Sequence, residues 1–196
     1  MRIALGTIAT SIVVAAISTT SGQPVTGLAP SDVPASLQSA VARAEQGMNA
    51  LQAALLARLG EQMKAGGPAS AVTVCRDEAA AITARVAREQ SIALGRTSHK
   101  LRNPANAAPA WAVSLVRDAA GAKAAAHGAR VFDLGDRVGV LRPIGFVEMC
   151  GACHGAPDGI PAPVRGVIAA AYPQDAAVGF APGDLRGWMW AEVRKP

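Results

Sequence analysis

Two cysteines and a histidine stand close together late in the chain, as Cys150, Cys153 and His154 in the segment C-G-A-C-H. In this C-x-x-C-H spacing each thiol can add across one vinyl group of a porphyrin, and the imidazole that follows can bind the iron. The spacing therefore predicts one covalently attached haem c, with His154 as the proximal ligand. A structural zinc site would need a second pair of ligands, and a thioredoxin-like motif would normally lie in a βαβ unit; the sequence indicates neither.

The residue types leave several candidates for the ligand on the opposite side of the iron, namely His99, His127, Met48, Met63, Met189 and Cys75. Met48 belongs to an apolar helical stripe and is expected in the core, whereas His99 and His127 lie in polar or small-residue segments and are expected at the surface. Met189 is the leading thioether candidate. Cys75 cannot pair once the other two cysteines carry haem, and ligation would protect its thiol in an oxidising compartment.

The helices and strands that must position these groups can be read from apolar periodicity and from glycine and proline. Two series at seven-residue spacing, Leu37-Ala44-Leu51 and Val41-Met48-Leu55, predict a long helix that ends before Gly66-Gly67-Pro68. A second helix is predicted to about Arg88, with Cys75 on its inward face. Later segments predict a strand at 91–98, a helix at 109–120, a hairpin of strands 129–134 and 137–144, a helix at 164–171 and a strand at 188–193. This order of elements favours a single α+β domain.

The N-terminus has the composition of an export signal. Arg2 is followed by an apolar run at 3–17 and a small, polar segment at 18–23. We therefore expect a cleavable signal peptide over 1–22, a linker over 23–34 and a haem domain over 35–196. The apolar run is shorter than the roughly 20 residues that a bilayer span needs. These features predict a periplasmic protein without stable membrane insertion.

Charge and aromatic content argue against a nucleic-acid partner. The formal net charge is +5, but the basic residues are spread along the chain, and only three Trp, three Phe and one Tyr are present. Basic patches interleaved with stacking aromatic residues are therefore missing.

Several short motifs elsewhere in the chain add a family resemblance. They are G-R-T-S at 95–98, K-L-R-N-P-A-N at 100–106, Y-P-Q-D at 172–175 and G-D-L-R-G at 183–187. Together with the C-x-x-C-H segment they resemble a bacterial family of PAS-like c-type haem domains, over about residues 35–190. The resemblance implies an antiparallel PAS-like sheet flanked by helices, one haem, and a cysteine from the second helix opposite the proximal histidine. The matching positions are Cys75 and His154.

A thiolate ligand stabilises ferric over ferrous iron and lowers the reduction potential, and a filled sixth position excludes substrates. We therefore expect an electron carrier with a redox partner protein, and not an enzyme. The alternative is a periplasmic redox or gas sensor that acts through a separate partner; catalysis on sulfur compounds is less favoured. Arg96, Lys100 and Arg102 are candidates to pair with the haem propionates.

Overall fold

The computed structural model describes residues 27–196, so the predicted signal peptide and the start of the predicted linker lie outside the described residues. Two helices lead the described chain, α1 (Ala35–Thr73) and α2 (Ala79–Gln90). Inside α1 the backbone leaves the helical region at Gly67, where φ is 68° and ψ is −169°, and Pro68 follows. Proline lacks the N–H that would continue the hydrogen-bond ladder. The predicted break is thus present, as a kink that divides α1 into two arms.

A π-helical turn, Val74–Glu78, separates α1 from α2. The sequence predicts a continuous helix here, because its apolar spacing does not show the one-residue expansion. π turns are rare and frequently occur at functional sites. Arg58 on the first arm of α1 binds Glu78 through two hydrogen bonds of 2.7 and 2.8 Å, which ties this turn to the neighbouring arm.

The sheet has four antiparallel strands in the order β1 (Ala93–Thr97), β4 (Leu185–Arg194), β3 (Arg137–Gly145) and β2 (Arg130–Asp133). β2 and β3 form the predicted hairpin, and Gly135 in its turn has a φ of 89°. β4, the last strand in the sequence, lies between β1 and β3. The predicted α+β class is confirmed.

Each face of the sheet is covered by a different core. One face packs against α1 and α2 through apolar side chains that include Ala44, Met48, Leu51, Val86, Val140 and Met189. The stripe that predicted the first helix is therefore its buried face. The other face packs through Trp188 and Leu141 against a short helix, α3 (Val113–Asp118). α3 is shorter than predicted because the segment Ala110–Ala112 forms a 3₁₀ turn.

The described part of the predicted linker contacts the sheet. Leu28 and Val131 exchange backbone hydrogen bonds of 2.8 and 2.9 Å, and Val33 is buried in the core under α1. β2 is an edge strand, and an unpaired edge favours association with other chains. Leu28 pairs with part of that edge.

Two further helices follow the hairpin. A 3₁₀ turn, Glu148–Cys150, leads into the short helix α4 (Gly151–His154), and α5 (Ala162–Ala171) comes after it. Among the helices of residues 27–196, none combines the length and hydropathy that a bilayer span requires.

Gly187 occupies a position where β4 and the end of β1 approach closely. A Cβ there would lie 2.3 Å from the Thr97 carbonyl oxygen and 3.1 Å from the Ser98 Cβ. We predict that Gly187→Ala lowers the free energy of unfolding by about 1 to 3 kcal/mol, because the backbone must shift. Urea denaturation followed by circular dichroism measures this change.

Gly166 provides the matched control. It is exposed on α5, and a Cβ there would have no neighbour within 4 Å. Gly166→Ala should stabilise the protein by up to about 1 kcal/mol, since alanine is the better helix former. Equal urea midpoints for Gly187→Ala and the wild type would contradict the close approach.

Candidate functional site

The two cysteines of the C-x-x-C-H segment lie one helical turn apart. Cys150 ends the 3₁₀ turn and Cys153 belongs to α4. Residues three apart in a helical segment lie on one side, so both thiols are available to a single ligand. Both thiols are free. Cys150 packs against Phe146, Ala177 and Phe180, and Cys153 against an apolar cluster of Val72, Ile160, Val164, Ile168 and Tyr172.

The imidazole of His154 is oriented by one backbone carbonyl. Its Nδ1 lies 2.7 Å from the Ala177 oxygen, so Nδ1 carries the hydrogen and donates it, and the lone pair is on Nε2. Burial, followed by the charges of Arg186 and Arg102, lowers the pKa of His154 to about 3. The ring is therefore neutral at pH 7, in the tautomer that binds a metal through Nε2.

A buried ion pair holds that carbonyl in place. Nη2 of Arg102 donates to Oδ2 of Asp175 at 3.0 Å and to the Cys153 oxygen at 2.5 Å, with a longer contact of 3.4 Å to the Ala177 oxygen. The second carboxylate oxygen of Asp175 accepts from the Ala177 N–H at 2.8 Å. Arg102, proposed from the sequence as a propionate partner, thus joins the motif helix to the segment that orients His154. Its Nε is buried without a hydrogen-bond partner.

The other two predicted propionate partners differ from each other in their surroundings. Lys100 Nζ donates to the Val178 oxygen at 3.1 Å and lies 5.0 Å from the centre of the Phe180 ring. Arg96 lies on β1 opposite Met189, and its side chain has no hydrogen bond or ion pair to another described residue. Burial lowers the pKa of Arg96, and negative charge on Cys75 opposes that change.

Cys75 lies in the π turn, within electrostatic range of the motif. Burial raises the pKa of Cys153; Arg102 lowers it, and negative charge on Cys75 raises it further. Burial also raises the pKa of Tyr172, and the charge of Cys75 is the next contribution. The fold therefore brings Cys75, 78 residues before Cys153 in the sequence, to the same region as Cys153.

The thioether candidates lie in the core. Met189 is buried between the sheet and α1, and its sulfur is 3.4 Å from Nη2 of Arg142. Met48 is buried in the same cluster, as the stripe predicted. The apolar cluster that contains both methionines includes no residue of the C-x-x-C-H segment.

His99 and His127, expected at the surface, are half-buried rather than fully exposed, and each imidazole packs on an aromatic ring. His127 lies edge-on to Trp188 with centroids 5.4 Å apart, and its Nε2 is buried. His99 lies edge-on to Phe180 at 5.8 Å, and burial lowers the pKa of its ring. The polar neighbours in sequence concealed these contacts, since the aromatic partners come from distant segments.

Arg186 is a residue of this site that reasoning from chemistry alone missed, although it lies within the quoted motif G-D-L-R-G. Its guanidinium lies 5.0 Å from the centre of the Phe180 ring, and Nη2 is 3.5 Å from Nδ1 of His154. Burial, with the charges of Arg102 and Arg96, lowers the pKa of Arg186 to about 10. Asp175 was likewise missed as a site residue, although it lies within the quoted motif Y-P-Q-D.

The model of the Tll0287-like family matches residues 28–193. The chain belongs to this family. The resemblance read from the motifs is thereby confirmed, and the match covers the helices, the sheet and the C-x-x-C-H segment. Among solved structures, the chain is similar to the cyanobacterial haem protein Tll0287, with 24% sequence identity and a TM-score of 0.54. That likeness covers 84% of this chain and 98% of the other, and it shows that the two share a fold. No curated protein matches the chain.

The ion pair under the motif is open to a direct test. The Arg102 and Asp175 side chains are 8% and 9% exposed. Asp175→Asn leaves a buried guanidinium without its counter-charge, and we predict a loss of about 3 to 5 kcal/mol in the free energy of unfolding. Urea denaturation of the purified variant measures it.

Asp118→Asn is the control, because Arg117 and Asp118 pair at 2.9 Å with side chains that are 73% and 65% exposed. Exposed pairs contribute about 0 to 1 kcal/mol, so this variant should unfold close to the wild type. If both variants have the same small effect, the Arg102–Asp175 pair does not hold the site together.

Proposed function

We propose that this protein is an exported electron carrier with one covalently attached haem c. Cys150 and Cys153 would form the thioethers, and His154 and Cys75 would bind the iron. The observation that carries the proposal is the 2.7 Å contact from Nδ1 of His154 to the Ala177 oxygen, which frees Nε2 beside two uncommitted thiols. Membership of the Tll0287-like family and the solved structure of the haem protein Tll0287 support it.

The donor set fits this group. Thioether formation needs two free thiols at the C-x-x-C spacing, and axial ligation needs a neutral imidazole whose other nitrogen is fixed. The chain supplies both, and the apolar side chains around Cys150 and Cys153 suit a porphyrin face. When bound, the haem supplies reversible one-electron chemistry, and the protein sets its potential through the ligands and their surroundings.

Two axial protein ligands favour electron transfer over catalysis, because a substrate would have no coordination position. Thiolate from Cys75 would place the potential low. Val147 and Met149, just before Cys150, are 53% and 67% exposed, and this edge of the motif would be the contact for a redox partner protein. Export to the periplasm, through the sequence at 1–22, would supply the compartment in which this kind of attachment takes place.

Covalent attachment is tested with Cys150→Ala/Cys153→Ala, expressed and exported under conditions for c-type maturation. We predict that haem stays with the denatured wild-type chain and with Cys75→Ser, and that the double variant has none, because only the motif thiols form thioethers. Haem staining of denaturing gels and intact mass measure the result. Extraction of the wild-type haem by acidified acetone would contradict covalent attachment.

Ligation by Cys75 is tested by redox titration with optical and EPR detection. Cys75→Ser should raise the midpoint potential by more than about 59 mV, a tenfold change in the reduction equilibrium, and should alter the ferric low-spin signal, because the thiolate charge is lost. Met189→Leu keeps the core volume and should leave both unchanged. If Met189→Leu changes the potential and the EPR signal while Cys75→Ser leaves them unchanged, the iron ligands are His154 and Met189.

Carbon monoxide, added after reduction of the wild type, separates the carrier from a sensor. A carrier with both ligands retained does not bind the gas. Rapid binding after reduction would show that one ligand leaves the iron, and it would favour the redox or gas sensor over the carrier.

A further inference from the structure

Two guanidinium groups of the candidate site, those of Arg96 and Arg186, have no carboxylate partner among residues 27–196. Their neighbours Arg102 and Lys100 are engaged: Arg102 binds Asp175 and two carbonyls, and Lys100 binds the Val178 oxygen. Buried or partly buried charges in proteins are usually paired or bound to a ligand. Arg102 and Lys100 have protein partners, whereas the side chains of Arg96 and Arg186 are free to bind an anionic group of a ligand.

The contact between Arg186 and His154 does not satisfy the guanidinium. Nη2 of Arg186 lies 3.5 Å from Nδ1, but that nitrogen already donates its hydrogen to the Ala177 oxygen at 2.7 Å. Two donors face each other, so no hydrogen bond forms between them. Arg186 is nevertheless fixed, because its side chain lies over the Phe180 ring and its carbonyl accepts from the Ser98 hydroxyl at 2.7 Å.

Arg96 and Arg186 lie at the same end of neighbouring strands. Arg96 is next to the last residue of β1, which pairs with β4, and Arg186 is the second residue of β4. Arg96 lies within electrostatic range of the Cys75 side chain, whereas Arg186 is next to His154. The two cations thus flank the proposed ligands, one on the cysteine side and one on the histidine side.

We propose that Arg186 and Arg96 are the cationic partners of the two propionate carboxylates of the bound haem. This assignment rests on the proposed function, and it gives Arg102 and Lys100 the separate task of holding the protein segments together. Charge counting agrees: ferric iron, the porphyrin dianion and one thiolate sum to zero, which leaves the two carboxylates for two guanidinium groups. A planar guanidinium also suits a carboxylate, since it can donate two parallel hydrogen bonds.

The test uses the matured haem protein and the variants Arg186→Gln and Arg96→Gln, with Arg194→Gln as the control. Resonance Raman spectra report the propionate bending modes, and a redox titration reports the midpoint potential. We expect each glutamine variant to shift a propionate mode. We also expect the equilibrium constant for reduction to fall by about tenfold, or about 59 mV for one electron, because a cation near the iron favours the reduced state.

Arg194 lies at the far, exposed end of β4, so Arg194→Gln should leave both readouts unchanged. If Arg186→Gln does not mature, Arg186→Lys is measured instead; it keeps the charge, so a wild-type potential with a displaced propionate mode supports the proposal. Wild-type modes in both the Arg186 and the Arg96 variants overturn it.

Haem staining of each denatured variant distinguishes a failure of the arginine assignment from a failure of the proposed function. Stained variants with unchanged modes refute only the role of the two arginines. A wild-type chain that carries no covalent haem refutes the proposed function itself.

Discussion

The buried Arg102 guanidinium is the interaction on which the site depends. It contacts the motif helix through the Cys153 carbonyl and the segment before β4 through Asp175, and Asp175 in turn fixes the amide of Ala177. The carbonyl of Ala177 then sets the tautomer of His154. A buried ion pair generally adds little net stability, because both charges must be desolvated. Here the pair fixes the relative positions of three segments that are distant in sequence.

The remaining elements place groups on either side of that arrangement. The π turn with Cys75 follows the kink at Gly67 and Pro68, and it lies near Cys153 of α4. β1 and β4 supply the arginines at one end of the sheet. α1 and α2 cover one face of the sheet and α3 covers the other, and the two apolar clusters on these faces contain no motif residue. The motif cysteines pack against two smaller clusters beside them. The fold is thus a scaffold, and the site lies at its margin.

Much of this could be predicted from the sequence where local chemistry decides. Apolar spacing located α1, Gly67-Pro68 located its break, and Gly135-Asp136 located the hairpin, because each depends on residues that are neighbours in the chain. The C-x-x-C-H segment is similarly local. The π turn, the packing of His99 on Phe180 and the pairing of Arg102 with Asp175 were not predictable in this way. These three features depend on residues that only the tertiary fold brings together. The motif Y-P-Q-D contains Asp175, but the motif alone does not indicate that Asp175 pairs with Arg102.

The central place of β4 in the sheet has a consequence for the order of events during synthesis. β1 and the β2–β3 hairpin have no partner between them until residues 185–194 arrive, so the sheet is assembled from contacts of high sequence separation, which slows folding. Cys150, Cys153 and His154 precede β4 in the chain. A chain that emerges from its N-terminus therefore presents both thiols before the strand that closes the sheet is available, and a chemical modification of those thiols can take place on a polypeptide that is still open.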